Sequence, residues 1–340
     1  MRQYILAITF SVNFLAQTAM AGDSLKVGVS IKPIHSIVSA VMEGVGSPFL
    51  IVEGSGSPHT YNLKPSQAQK LQDANIIFWM GNQLEPALTK PIHNIARDAV
   101  VINLLKTQDL ITWQIRETDS FEKHDHDEHH SEHENEHGHK EHGHKEHGHK
   151  EHGHKEHGHK EHGHEDPHIW LDPVNAKILA RAVKHRLIEI DPLHAHLYTK
   201  NTLMLENKLD QLLVNIEQQL HLIEANNRNF IVFHDAYQYF EKRFGFSAVG
   251  SVTISPEIMP GAKKIVDLRN KIAHHRVHCI FSEPQFQPKI INRLVEDTDV
   301  NVGILDPLGA DIPNGQELYH TLIKNMAASF LNCLSKRKSS

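Results

Sequence analysis

The sequence predicts an α/β fold in which two lobes, each with a mostly parallel sheet flanked by helices, are joined by one long rigid helix. Three observations support this prediction. Short apolar runs alternate with helical patterns, the alternation occurs in two groups, and about thirty residues without glycine or proline separate the groups. Strands that alternate with helices are typical of parallel sheets covered on both faces. The separating pattern is longer than most globular helices, so we expect it to be a connector.

Four short runs with β-branched residues predict the strands of the first lobe. Helical patterns lie between them, from Ile34 to Met42, from Pro65 to about Ala74 and from about Glu85 to Ala96. The predicted strands are Leu25–Ser30, Phe49–Glu53, Ile76–Met80 and Val100–Leu104.

The middle of the chain is helical. Asp172-Pro173 opens a helix that runs to about Ile190, because proline is favoured at the first helical position. Asp191-Pro192 opens the connecting helix, which we place at residues 191–225. The alternation then resumes, with strands predicted at Asn229–His234, Ala248–Ile254, Val277–Glu283 and Val302–Leu305.

Residues 1–21 have the pattern of a secretory signal peptide. Arg2 is followed by the apolar stretch Ile5–Leu15, too short to span a membrane, and Ala19-Met20-Ala21 fits a cleavage site. The first lobe then covers residues 22–190 and the second 226–340. No cysteine follows the cleavage site, so we expect a soluble periplasmic protein without a lipid anchor.

An acidic, histidine-dense tract interrupts the first lobe. It holds 17 of the 30 histidines and almost no branched apolar or aromatic residues, which predicts a disordered insertion at about residues 122–166. Neutral imidazole binds zinc, copper and nickel, so the tract indicates metal capture. A purification tag or a solvated charge run is the simpler alternative. The repeat HGHKE provides the accessory ligands His137, His139, His142, His144, His147, His149, His152, His154, His157, His159, His162 and His164.

Charge limits the possible partners. Residues 122–166 contain 14 acidic residues and six lysines, a balance of -8, whereas the whole chain has -6, so the remainder sums to +2. A nearly neutral globular part argues against nucleic acid or an anionic membrane as a partner.

The chain has two cysteines, Cys279 and Cys333. In an oxidising compartment an even pair suggests a disulfide. Two buried free thiols and soft zinc ligands remain alternatives, although neither cysteine has a typical zinc-ligand spacing.

Three histidines outside the tract stand at or beside predicted junctions of strands, turns and loops: His59, His168 and His234. Open α/β sheets bind ligands at the carboxyl ends of their strands, and Asp306 also follows a strand. Three imidazoles with a carboxylate or water form a tetrahedral zinc set. Each histidine alone is more simply a hydrogen-bonded turn residue, and their spacing does not identify a site.

The segments around these residues form a more specific pattern in combination than any of them does alone. They are SIKPIHSIV (Ser30–Val38), SPHTYNLKPSQAQKLQDANIIFWMG (Ser57–Gly81), HIWLDP (His168–Pro173), VFHDAYQYFEKRFGF (Val232–Phe246), PEIMPGAK (Pro256–Lys263), CIFSEPQF (Cys279–Phe286) and LDPLG (Leu305–Gly309). Together they resemble the ZnuA family of zinc-uptake periplasmic binding proteins, which are the metal-capturing subunits of ABC importers. The resemblance covers nearly the whole mature chain.

The resemblance implies zinc in a cleft between the lobes, with His59, His168 and His234 as ligands. Some relatives have a glutamate where this chain has Pro58, so Asp306 and water are both candidates for the fourth ligand. Cys279 and Cys333 fall where relatives form a disulfide. The implied partner is an ABC permease with its cytoplasmic ATPase, and we expect a monomer without enzymatic activity whose tract is an accessory zinc collector.

Three other functions remain open. A zinc hydrolase needs a general base, for which Asp235 and Glu257 are candidates. A manganese receptor of the same fold is a second alternative, but His234 stands where manganese-binding members tend to have a carboxylate, which favours zinc. A metal-sequestering or adhesive surface protein is the third.

Overall fold

The structure of this protein is a computed structural model that describes residues 25–54, 56–116, 121, 165–253, 260–286 and 289–336. The predicted signal peptide, the accessory histidines and Glu257 lie outside the described residues. In the part of the chain that is described, none of the helices is long and apolar enough to cross a membrane.

Two parallel four-stranded sheets confirm the predicted fold class. In the first sheet the order is β2-β1-β3-β4, formed by β1 (Val27–Val29), β2 (Phe49–Leu50), β3 (Ile76–Trp79) and β4 (Val100–Asn103). In the second sheet the order is β6-β5-β7-β8, formed by β5 (Phe230–His234), β6 (Gly250–Thr253), β7 (Cys279–Ser282) and β8 (Asn301–Ile304). Every strand pair is parallel, as expected where helices connect successive strands.

Helices flank both sheets. Those before the connecting helix are α1 (Lys32–Val41), α2 (Pro65–Gln72), α3 (Thr89–Ile95) and α4 (Pro173–Ile190). The helix predicted from about Glu85 is divided, because a 3-10 turn at Pro86–Leu88 precedes α3. The remaining helices are α5 (Ala195–Leu220), α6 (Gln238–Phe244), α7 (Ala262–His274), α8 (Lys289–Val295) and α9 (Leu318–Leu334).

Helix α5 is shorter than the connecting helix that the sequence predicts. A 3-10 turn at Pro192–His194 precedes it, and the Asp191 carboxylate accepts hydrogen bonds from His194 Nδ1 at 2.6 Å and the Tyr198 hydroxyl at 2.8 Å. The buried residues of α5 follow helical spacing, and the helix packs on α1 and α4 of the first lobe and on α9.

The largest hydrophobic cluster extends through both lobes. It includes Phe78 of β3, Phe230 of β5 and Phe330 of α9, each fully buried. Smaller clusters cover the opposite face of each sheet. The lobes therefore share one core, and we expect their relative motion to be small.

A buried lysine adds a polar connection between the lobes. Lys32 Nζ, at the start of α1, donates to the carbonyl oxygens of Gly309, Ala310 and Ile312 at 2.5, 2.9 and 2.8 Å. Burial lowers the pKa of Lys32, while Asp306 and Asp311 oppose that shift. All three ammonium protons are thus donated to one loop of the second lobe.

A disulfide joins Cys279, at the start of β7, to Cys333, near the end of α9, with 5.9 Å between the Cα atoms. The cross-link closes a loop with a sequence separation of 54, and the chain-entropy model gives about 4 kcal/mol of stabilisation for such a loop. Changing both cysteines to alanine should lower the free energy of unfolding by about that amount in urea denaturation. Zinc affinity should stay unchanged, since neither cysteine is among the predicted histidine ligands His59, His168 and His234. Equal stability of the two proteins would contradict this prediction.

Candidate metal centre

The second sheet brings two side chains together where its strand order reverses. Strands β5 and β7 are neighbours, and the helices that follow them connect to strands on opposite sides, so a crevice forms at their carboxyl ends. His234 is the last residue of β5, and Glu283 comes directly after β7.

The first lobe supplies two histidines to the same crevice. His59 lies on the 3-10 turn Pro58–Thr60 after β2, where the Ser57 hydroxyl accepts a hydrogen bond from the His59 backbone N–H at 3.3 Å. His168 precedes the 3-10 turn Ile169–Leu171. The indole of Trp170 donates to the Pro307 carbonyl at 2.8 Å, which ties this turn to the second lobe.

The three predicted histidines converge. One potential ligand nitrogen from each of His59, His168 and His234 lies within 4.8 Å of the others. His168 and His234 are only 6% and 4% exposed. The cavity between them has a volume of about 20 Å³, which is room for roughly one water-sized particle. Such a space suits a single ion.

Carboxylates orient two of the histidines. His168 Nδ1 lies 2.7 Å from an Asp166 oxygen, and His234 Nδ1 lies 2.5 Å from a Glu283 oxygen. A ring nitrogen that donates to a carboxylate leaves the other nitrogen free to bind a metal. Among the described residues, His234 Nε2 is buried and has no hydrogen-bond partner. Burial alone would lower the pKa of His234, but Glu283 outweighs it and the pKa is raised.

His59 differs from the other two histidines. Within the described ranges, no carboxylate is hydrogen-bonded to its ring. Burial, reinforced by the neighbouring His168 and His234, lowers the pKa of His59 to about 3. The imidazole is therefore neutral at neutral pH, which is the form that binds metals.

Asp306 does not join this group. Its Oδ1 accepts hydrogen bonds from the backbone N–H groups of Leu308 and Gly309 and from Gln285 Nε2, and its Oδ2 accepts one from Ala310 N at 2.6 Å. The carboxylate thus caps the loop after β8. Because its oxygens accept these hydrogen bonds, Asp306 lies outside the group of three histidines, and its role as fourth ligand stays a prediction.

The structure describes the last two residues of the predicted insertion. Glu165 and Asp166 are part of the folded lobe, where Glu165 pairs with Gln114 and the Asp166 N–H donates to the Trp113 carbonyl at 2.8 Å. The Tyr239 hydroxyl donates to the Asp166 carbonyl at 2.7 Å. Gln114, which precedes the tract, and Glu165, which follows it, therefore lie side by side in the first lobe.

Asp235, which the sequence offered as a candidate general base, is held in an ion pair. The guanidinium of Arg116 forms an ion pair with it and donates to Glu241 at 2.9 Å. Burial opposes the charge on Arg116, but Glu241 and Asp235 raise its pKa. A carboxylate paired in this way is poorly placed to accept a proton from water.

Sequence reasoning missed Asp166, Glu283 and Gln285. Glu283 is the last residue of the predicted strand Val277–Glu283 and Gln285 follows it, so their position at a strand end was an available signal. No comparable signal marked Asp166, because its neighbours in sequence belong to the acidic tract.

A second buried carboxylate occupies the corresponding place in the first sheet. Glu85 follows β3 and accepts a hydrogen bond from the Met80 N–H at 2.9 Å. Burial raises its pKa to about 7, although the nearby Ser30 hydroxyl and the hydrogen bond from the Met80 N–H oppose that shift. Because this value exceeds the ordinary value of 4.5, the contribution of the protonated side chain to stability is complete below pH 4.5, falls as pH rises from 4.5 to 7, and is lost above pH 7.

The substitution Glu85→Gln should remove this pH-dependent loss of stability. We expect the variant to match the wild type in free energy of unfolding near pH 4.5 and to exceed it by about 3 kcal/mol at pH 8. Urea denaturation of both proteins across this range measures the difference. A constant difference between pH 4.5 and 8 would contradict the assigned pKa.

A family model described as zinc-uptake complex component A, periplasmic, matches residues 27–333. The chain belongs to this family. A high-affinity zinc uptake system protein ZnuA of Brucella suis is 50% identical over 331 residues, which cover 97% of this chain and 98% of that protein. The protein of the same name from Haemophilus influenzae is 38% identical and covers 99% and 100% of the two chains.

Solved structures agree with the family at the level of the fold. The periplasmic zinc-binding protein TroA from Treponema pallidum has a TM-score of 0.70 at 18% identity, covering 92% of this chain and 100% of that one. The family fold confirms the expected arrangement of two parallel sheets with a long helix.

Proposed function

We propose that this member of the family captures Zn²⁺ in the cleft between its lobes and delivers it to an ABC permease for import. The convergence of His59, His168 and His234 on a cavity of about 20 Å³ supports the proposal most directly. Three imidazoles with one open position suit zinc better than a hard cation. The names of relatives at 33–50% identity point to the same ion.

The position of His234 favours zinc over manganese. Manganese prefers carboxylate, carbonyl and water oxygens, whereas the three converging side chains offer only nitrogen. The Glu283 carboxylate contacts Nδ1 of His234, on the opposite side of the ring from the nitrogen that would bind the ion, so its oxygen supports the imidazole and is not itself a ligand.

The cavity favours a binding protein over a hydrolase. A zinc hydrolase must hold an organic substrate beside its metal, and substrate pockets measure several hundred Å³. A cavity of about 20 Å³ admits an ion or a water molecule. The pairing of Asp235 with Arg116 adds to this argument.

We further propose the roles that the sequence assigns to the remaining segments. Residues 1–21 direct export to the periplasm, the chain acts as a monomer, and α5 connects lobes at residues 22–190 and 226–340. The histidine tract collects zinc beside the cleft, since Asp166 at its end is hydrogen-bonded to His168. A segment that must order its ligands upon binding should hold zinc more weakly than a preformed site.

Growth under zinc limitation tests the transport function. A strain that lacks this protein should grow poorly in chelator-treated medium, and the wild-type gene should restore growth. A gene with His59, His168 and His234 all changed to alanine should not restore it, whereas added zinc should. Full restoration by the triple variant would contradict the proposed function and favour a sequestering or adhesive role.

A further inference from the structure

Among the described residues that line the metal cavity, Gln285 is the one whose buried side-chain oxygen lacks a hydrogen-bond partner. The residue lies in the turn after β7 and lines the same cavity as His59, His168 and His234. Its Oε1 is buried from solvent and, among the described residues, accepts no hydrogen bond. A buried acceptor without a partner costs free energy, so it points to a function.

Asp306 fixes the orientation of the Gln285 side-chain amide. The Asp306 carboxylate only accepts hydrogen bonds, and its Oδ1 receives Gln285 Nε2 at 3.0 Å. A flipped amide would place oxygen against oxygen. Three backbone N–H groups, from Leu308, Gly309 and Ala310, hold the carboxylate in place. The amide nitrogen therefore faces Asp306, and the oxygen is left for another partner.

We propose that Gln285 Oε1 supplies the oxygen at the open fourth position of the three-histidine centre, bound either to the zinc ion or to a water molecule on it. The inference rests on the proposed function. Asp306, which the sequence suggested as the fourth ligand, becomes a positioning residue that acts through Gln285. Three imidazoles and one oxygen complete a tetrahedral zinc set.

Gln285→Met tests the proposal, because methionine keeps the length of the side chain and removes the amide oxygen. Zinc affinity is measured by competition with a chelator, and the geometry by the visible absorption of the Co²⁺-substituted protein. We expect the dissociation constant for zinc to rise about tenfold, at the lower end of the range for supporting groups of metal sites. The Co²⁺ bands should shift.

Gln67→Met is the matched control. Gln67 is a buried glutamine on α2 that donates to the Tyr61 hydroxyl and does not line the cavity. The Gln67→Met variant should be less stable than the wild type, with unchanged zinc affinity and unchanged Co²⁺ bands. Asp306→Asn should shift the bands as Gln285→Met does, because an amide at position 306 no longer fixes the orientation of Gln285.

Zinc X-ray absorption separates the two forms of the proposal. Loss of one oxygen ligand in Gln285→Met shows direct binding, and an unchanged ligand count with weaker affinity shows binding through water; both support the proposal. Wild-type affinity and wild-type Co²⁺ bands in Gln285→Met overturn it while leaving zinc capture intact. Absence of tight zinc binding by the wild type would overturn the proposed function together with this inference.

Discussion

Changing His234 to alanine should abolish tight zinc binding. His234 is buried at the end of β5, its Nε2 faces no described partner, and its Nδ1 is fixed by Glu283. Removing a group that merely supports a metal ligand typically costs 10–100-fold in affinity, so loss of the ligand itself should exceed about 100-fold. Competition with a chelator measures this change, and His168→Ala should behave alike.

The matched control for this prediction is His93→Ala. His93 is an exposed histidine on α3 whose Nδ1 contacts the neighbouring Asn94, far in sequence from the cavity lining. Its replacement should leave zinc affinity unchanged. Thermal unfolding without metal shows whether His234→Ala still folds. A folded His234→Ala protein that binds zinc as tightly as the wild type would refute its assignment as a ligand.

Glu283→Gln should weaken zinc binding by about 10–100-fold while leaving the three histidines in place. The amide oxygen that this variant carries at position 283 can still accept a hydrogen bond from His234 Nδ1, but the negative charge that makes the imidazole a better ligand is gone. The effect should appear mainly as faster zinc release, which stopped-flow mixing with a chelator measures.

Two further variants give the prediction its controls. Asp166→Asn makes the same change beside His168, whose Nδ1 lies 2.7 Å from Asp166, and should act in the same direction. Glu317→Gln changes an exposed carboxylate that pairs with Lys208 and should have no effect. If Glu283→Gln releases zinc no faster than Glu317→Gln, the carboxylate does not support His234 as argued.

Much of the fold could be predicted because its signals are local. Each of the eight described strands overlaps a predicted run, since short runs of β-branched and other apolar residues leave a clear local pattern. The ends of elements were less predictable. Helix α5 ends at Leu220 rather than near Ala225, because tertiary contacts decide where the last turns unwind.

The site could be predicted only in part. His59, His168 and His234 are far apart in sequence, so the motifs around them, and not their spacing, indicated a common site. The role of Asp306 as fourth ligand stays a prediction, and the hydrogen bonds that hold its carboxylate depend on the path of the loop that follows it, which the sequence does not reveal. The support of His168 by Asp166 was hidden because the carboxylate borders a tract of similar composition.

The central claim is that tight zinc binding belongs to the three cleft histidines and not to the histidine tract. Zinc calorimetry on two proteins tests it most directly: one lacks residues 122–164, and the other keeps the tract but has His59, His168 and His234 changed to alanine. We predict one tight site in the first protein and only weak sites in the second. Loss of tight binding in the first protein, with its retention in the second, would contradict the claim.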